Sequence, residues 1–232
     1  MPVLFPAAPT NGQIFESGNL RYIYDGVSWE SAGTTPIAAS IPQYLLASLP
    51  TASSAGAGAV ALITNVGPTG IFVRSTGSLW IPDGRQVLGR ANTTSSHTGN
   101  TTETALFTVT VPAGLLHANA QLILTVYFGA TSNANTKTFR IRLGGLAGTA
   151  LTSFTFTTNS LSNELIRRIV FKNSLSSQET YNSVSGSFGP VVGAVATAAV
   201  NFANAQDIVV SLQLATGTDT ANVYSALLEW VA

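Results

Sequence analysis

The sequence predicts an all-β chain: two small β-meander modules followed by an antiparallel, jelly-roll-like β-sandwich. Three observations carry that expectation. Helical i, i+3, i+4 spacing of apolar residues hardly appears, and 21 glycines and 10 prolines interrupt nearly every window that could hold it. Apolar residues instead alternate at period two, as in Phe139, Ile141 and Leu143 or Ile208, Val210, Leu212 and Leu214. Turn dipeptides such as Gly18-Asn19, Asp25-Gly26 and Thr76-Gly77 separate the runs.

The first module spans residues 1–33, with strands expected at 13–17, 20–24 and 27–30. Gly18-Asn19 and Asp25-Gly26 tolerate the positive φ of tight hairpin turns. Two or three short strands are marginal alone, yet this segment carries Phe15, Tyr22, Tyr24 and Trp29. Those rings need cover, either from the rest of the subunit or from a partner. We read them as a docking interface, with packing of Trp29 inside its own subunit as the alternative.

The second module lies in residues 34–88. A stretch poor in charge and broken by Pro36 and Pro42 leads into it and reads as a semi-extended linker over 31–43. Strands are expected at 59–64 and 70–75 around Gly67-Pro68, and Thr76-Gly77 then delivers Trp80 as Asp25-Gly26 delivers Trp29. Trp80 therefore joins the expected docking set.

Residues 89–232 form the sandwich. After a polar linker at 92–102, strands are expected near 104–111, 121–128, 137–143, 150–157, 164–172, 178–185, 191–202, 207–214 and 221–231. The segment around Ile166-Arg167-Arg168-Ile169-Val170-Phe171 is β-branched and aromatic, which favours a strand over a short helix. Eight or nine antiparallel strands fit a jelly roll better than the seven of an immunoglobulin-like sandwich. In the last strand, Tyr224, Leu228 and Trp230 belong to a run that is apolar on both faces. Such a strand is either central and buried on both sides, or covered on one side by a neighbouring subunit. On the second reading, these three residues form an oligomer interface.

Charge narrows the partners. Only 9% of residues are charged, with ten basic and ten acidic side chains and zero net charge. Low charge density removes the repulsion that keeps copies apart, so it favours association. No basic run is longer than Arg167-Arg168, too little for a phosphate-tracking face, and nucleic acid is not expected as a partner. The apolar part of the longest charge-free stretch, 191–200, is too short to span a bilayer, and no membrane insertion is expected. The start carries no basic segment before Arg21, so no secretory signal is expected, and the sequons at Asn92 and Asn100 are read as linker composition.

Catalytic chemistry has little to work with. There is no cysteine, and the only histidines are His97 and His117, twenty residues apart without nearby carboxylate spacing. No Gly-x-Ser-x-Gly elbow is present. Glu164, Glu179 and Asp207 are the carboxylates that would have to converge for a glycosidase. No cofactor, metal site or enzymatic activity is expected.

Three stretches carry a resemblance. Phe5-Pro6-Ala7-Ala8-Pro9-Thr10-Asn11-Gly12-Gln13 with Tyr22-Ile23-Tyr24-Asp25-Gly26-Val27-Ser28-Trp29 resembles short segments near the ends of phage fibre and neck proteins. Ala47-Ser48-Leu49-Pro50-Thr51-Ala52, closing at Gly77-Ser78-Leu79-Trp80, is similar to a second such module. Val111-Pro112-Ala113-Gly114-Leu115-Leu116, followed by Asn133 to Gly145, resembles the C-terminal β domain of many phage and prophage structural proteins. The resemblance implies a structural protein of a tailed-bacteriophage virion, most simply a homotrimeric tail-fibre or receptor-binding component anchored by its N-terminal modules. Its partners would be other virion proteins of the tail, neck or capsid, and a host-surface glycan or protein. A capsid decoration or head-fibre subunit is the alternative, and a glycan-degrading spike a more distant one.

Overall fold

Turn-bounded, alternating segments become strands throughout the computed structural model, which describes residues 5–17, 20–34, 41–158, 161–180 and 195–231. The Gly18-Asn19 turn, residues 35–40 of the expected 31–43 linker, the second half of the strand expected at 178–185 and the start of that expected at 191–202 lie outside the described residues, while the first four linker residues are strand. The chain divides into two compact units, Met1–Ile41 and Pro42–Ala232.

The first unit is an antiparallel meander of β1 (Ile14–Ser17), β2 (Leu20–Tyr24) and β3 (Trp29–Thr34). β3 starts two residues later than the spacing suggests because the Asp25 carboxylate accepts the amides of Val27 and Ser28 at 2.8 and 2.7 Å. Those amides, Ser28 first, hold its carboxyl below the usual carboxylate range. Phe15 sits opposite Tyr22, and Tyr24 opposite Trp29, which puts all four rings on one face. Ile14 opposite Ile23 and Glu16 opposite Arg21 occupy the other.

The second unit begins with β4 (Gln43–Tyr44), a 3-10 turn at Leu46–Ser48 and the one-turn helix α1 (Ala52–Ala55). Thr51 caps α1 by accepting the Ser54 amide. β4 runs parallel to β5 (Val60–Ile63), and β6 (Ile71–Ser75) and β7 (Trp80–Pro82) complete a four-stranded sheet. Then come β8 (Gln86–Ala91), β9 (Ser95–Thr98), β10 (Thr104–Val111), β11 (Gln121–Ala130), β12 (Lys137–Leu143), β13 (Thr149–Phe156) and β14 (Asn163–Phe171). The chain closes with β15 (Gln178–Thr180), β16 (Ala196–Ala198), β17 (Gln206–Leu214) and β18 (Thr220–Val231).

Their pairing is that of a jelly roll. β8 and β9 pair β18, β10 pairs β17, β11 pairs β14, and β12 pairs β13, so a long antiparallel ribbon is folded over on itself. One sheet has the order β10-β17-β12-β13. The other runs β16-β15-β14-β11-β18-β8, with β9 also on β18. Inward residues such as Leu124, Phe139, Ile141, Leu212 and Leu228 fill the space between them. Gly89 faces Val109 of the opposite sheet, where a Cβ would stand 2.3 Å from a valine methyl; the sheets can approach there because position 89 has no side chain.

Two expectations change. The 92–102 segment holds the sheet strand β9, whose Ser and Thr side chains read as linker because the strand lies at an edge and earns its place through backbone pairing with β18. Only His97 turns inward, and it is buried with Nδ1 3.1 Å from Thr104 Oγ1. The expected boundary at 88/89 falls inside β8. Residues of the small sheet, Ala61, Ile63, Ile71 and Val73, join the same hydrophobic core as Leu122, Leu124 and Trp230, so residues 42–232 share one interior.

A buried ionic cluster closes one end of the sandwich. Lys137 is fully buried and donates to the Asn135 carbonyl at 2.9 Å, with Asp219 at 3.5 Å. Asn133 and Asn135 also donate to the Asp219 carboxylate. Burial pushes that carboxyl up, but the two amides and the Lys137 charge outweigh it and hold the group below the usual range.

Candidate functional site

The expected docking rings of the first unit pack on one another. Phe5, just ahead of the meander, folds over them: it stacks on Trp29 at 5.2 Å and 14° and meets Tyr22 edge-on at 4.9 Å. Phe15 and Tyr24 each lie within 6 Å of Trp29. All four expected residues are half-buried in this small aromatic core, and the surface left open is the opposite face, where Ile14 and Ile23 are exposed. Pairing of rings across and along the strands explains how so short a meander covers Phe15, Tyr22, Tyr24 and Trp29.

Trp80 is also half-buried, within the second unit, and its Nε1 donates to the Pro50 carbonyl at 2.7 Å. That bond ties β7 to the chain just before α1.

The expected oligomer residues separate. Leu228 and Trp230 are 0% exposed on the inward face of β18, which lies between β11 and β8, so the central-strand alternative holds for them. Alternation alone could not choose which apolar phase faces inward. Tyr224 remains 38% exposed, and its hydroxyl donates to the Leu161 carbonyl at 3.2 Å. It stands at a bulge, where Tyr127 and Phe128 are opposed by Ser225 and Val223. Gly129 beside it lets the Leu161 carbonyl approach, since a Cβ there would lie 2.3 Å from that oxygen.

The surface around Tyr224 is the candidate site. On the outward face of the larger sheet, Thr125 of β11 lies between Ile166 of β14 and Leu227 of β18, and Leu227 is followed by Arg90 of β8. In the adjacent row Tyr127 lies between Glu164 and Ser225. Ile166 is 47% and Tyr127 46% exposed. The Glu164 carboxylate beside Tyr127 raises its phenol above the usual value through a hydrogen bond and its charge. A groove of about 400 Å³ runs here, lined by Val87, Arg90, Asn92, Thr125, Tyr127 and Leu227 among others. Charges sit around this face in local pairs, Arg85–Glu229 at 3.3 Å and Lys172–Glu179 at 3.3 Å. Sequence reasoning reached Tyr224 but missed Tyr127 and Ile166. The available signal was β11, where Ile123 and Tyr127 sit in the phase opposite Leu122, Leu124 and Val126 and make both faces apolar.

The outward face of the smaller sheet is built differently. Glu103 receives two bonds from Arg142, at 2.7 and 2.8 Å, and Arg140 lies at 3.1 Å. Ser211 also donates to Glu103, and Arg142 reaches on to the Gly148 carbonyl at 2.8 Å. The Arg142 hydrogen bonds, more than the opposing desolvation, hold the Glu103 carboxyl below the usual range.

Glu164 and Glu179 stand on the larger sheet, whereas Asp207 stands on the smaller one, accepting from Thr110 at 2.6 Å. The three carboxylates therefore do not meet around one cleft. Arg167 and Arg168 divide between the faces: Arg167 is buried, and Arg168 is exposed and donates to Gln121 at 3.2 Å.

These elements define an all-β chain with a jelly-roll sandwich. No protein-family model and no curated protein matches it. Among solved structures it is similar to a CBM4 structure at 13% identity and TM-score 0.25, over 60% of this chain and 92% of that one. It is also similar to the structure of infectious bursal disease virus strain Gx, at 12% identity and TM-score 0.25, over 70% of this chain and 50% of that one.

Proposed function

We propose that this chain is a structural component of a tailed-bacteriophage virion, a tail-fibre or receptor-binding subunit that works as a homotrimer. One observation carries the reading: the outward face of the larger sheet leaves Tyr127, Ile166 and Tyr224 exposed around a groove. In a chain with only 9% charged residues, such a face favours association. The first unit serves as the docking element. Its rings are spent on its own small core, and its open face presents Ile14 and Ile23. The groove, with Arg90 and Asn92 beside the Tyr127 ring, offers hydrogen bonds and a flat apolar surface to a host-surface glycan or protein.

Quantitative mass spectrometry of purified particles tests this reading. Detection in tens of copies, with loss of the protein from particles when residues 1–41 are deleted, is the expected result. Absence from particles overturns it. Hundreds of copies would favour the decoration-protein alternative over a fibre.

A further inference from the structure

The ionic cluster at the end of the sandwich holds its groups in the order that an amide exchange needs. Lys137 is 0% exposed, and its Nζ donates to Asn133 Oδ1 at 2.5 Å and to the Asn135 carbonyl at 2.9 Å. With a C=O bond of about 1.23 Å, the Asn133 amide carbon Cγ lies no more than about 3.7 Å from that nitrogen. Asn133 Nδ2 points the other way and donates to Asp219 Oδ1 at 2.7 Å. The second oxygen of Asp219 lies 3.5 Å from Lys137 Nζ and accepts from Asn135 Nδ2 at 3.1 Å. Charge fixes the Asn133 orientation, because an amide oxygen can only accept and so faces the ammonium, whereas its nitrogen can only donate and faces the carboxylate.

A further donor sits on the same amide. The backbone N–H of Asn135 donates to Asn133 Oδ1 at 3.0 Å. That oxygen is the atom on which negative charge develops when Cγ is attacked, so the N–H stands where an oxyanion donor belongs. A nucleophile, an acyl group, an oxyanion donor and a carboxylate touching both the attacking and the leaving nitrogen therefore meet in one buried corner. We propose that Lys137 and Asn133 become joined by an amide bond that the folded chain forms by itself, with Asp219 as the proton carrier.

Lys137 first passes a proton to Asp219, which exchanges two buried charges for two neutral groups. The Nζ lone pair then bonds to Cγ, and negative charge moves onto Oδ1, where the Asn135 N–H receives it. The bond from Cγ to Nδ2 breaks, and its electron pair leaves with the nitrogen. Of the three protons on the starting ammonium, one stays on the new amide and two pass through Asp219 to Nδ2, which departs as ammonium. Asp219 is again a carboxylate, and no other reactant is consumed. The Asn133 and Asn135 amides and the Lys137 charge hold the Asp219 carboxyl below the usual range against the opposing effect of burial, so the neutral pair is a minor state and the exchange is slow. It has to occur only once per molecule. Burial of Lys137 and Asp219 keeps the groups in register and keeps water from competing with Nζ. The bond closes the loop between β11 and β12 and leaves Lys137 with no charge to bury.

Mass spectrometry of the purified full chain, denatured before injection, tests the proposal. The expected mass is that of the sequence less one ammonia. Trypsin should leave the chain uncut after Lys137, and fragment spectra should join positions 133 and 137. Asp219→Asn keeps an acceptor for Asn133 Nδ2 but cannot carry the proton, so this variant should retain its full mass while folding as wild type does by circular dichroism. If Asp219→Asn does not fold, Asn133→Ser, which removes the acyl group, is read in the same way. A folded wild-type chain that keeps its full mass after prolonged incubation at neutral pH overturns the proposal. So does an ammonia loss that maps to a succinimide at an asparagine with Lys137 still cut by trypsin. An ammonia loss that persists in the folded Asp219→Asn variant overturns it as well.

Discussion

The two outward faces of the sandwich share a backbone plan and differ in how they are finished. On the smaller sheet, Glu103 gathers Arg140, Arg142 and Ser211, so these charged side chains find their partners inside the subunit. On the larger sheet, Ile166, Tyr127 and Tyr224 stand in solvent while the nearby charges pair with one another around them. A saturated polar face needs nothing further from outside. An apolar face with rings and aliphatic side chains gains free energy by being covered, at roughly 25 cal/mol per Å² of apolar surface removed from water. The larger sheet is therefore the face on which the proposed association would gain most.

The strongest way to break this contrast uses two neighbours on β18. Leu228 points inward and is fully buried, whereas Leu227 points outward and is half-buried. Leu228→Asp places an unpaired carboxylate in the core and should cost roughly 4 kcal/mol or more, abolishing the cooperative thermal transition seen by circular dichroism. Leu227→Asp should stay folded and weaken self-association in light scattering. A folded, merely dissociated Leu228→Asp variant would return that residue to an interface and reverse the two faces.

An intermediate effect is expected on the polar face. Glu103→Gln leaves Arg140 and Arg142 without their carboxylate and should cost about 1–3 kcal/mol in denaturant unfolding. The pH dependence has a definite sign. Because the folded-state value of Glu103 is depressed, its contribution is complete above the ordinary glutamate value of about 4.3 and is lost as pH falls through the folded value. Melting temperatures measured from neutral pH down to acid should therefore converge between wild type and variant. A gap that persists at the acid end would place the effect in packing instead of charge.

The smallest effect on stability, and the sharpest on function, belongs to the larger sheet. Tyr127→Ala and Ile166→Ala remove exposed side chains and should each change stability by no more than about 0.5 kcal/mol. Together they should reduce self-association or adsorption to host cells, read by sedimentation and by a cell-binding assay. A large fall in melting temperature would show that this face belongs to the core.

How much of this was legible varies by residue. Phe139, Ile141 and Leu143 alternate cleanly, and β12 lies at 137–143, where the alternation predicts it. The Asp25-Gly26 turn is likewise visible as residue chemistry, although the onset of β3 depends on which amides the Asp25 carboxylate captures. β9 was not legible, because Ser95, Ser96 and Thr98 have no apolar signature and join the sheet through backbone groups. Phe5 was not legible as cover for Trp29, since nothing local says where an irregular segment folds back.

By itself, the sequence determined the strand content, the phase of alternation within most strands and the all-β class, because side-chain direction at period two is a local property of extended backbone. Only the tertiary structure decided that β8 and β9 close onto β18 as the first turn of the jelly roll, and that residues 42–232 share one interior. It also decided that the apolar phase holding Leu228 and Trp230 faces inward while Leu227 faces out. When both phases of a strand are apolar, the burial of either one satisfies the local pattern equally. The choice then rests with long-range pairing, where each strand's register is set by partners distant in the chain.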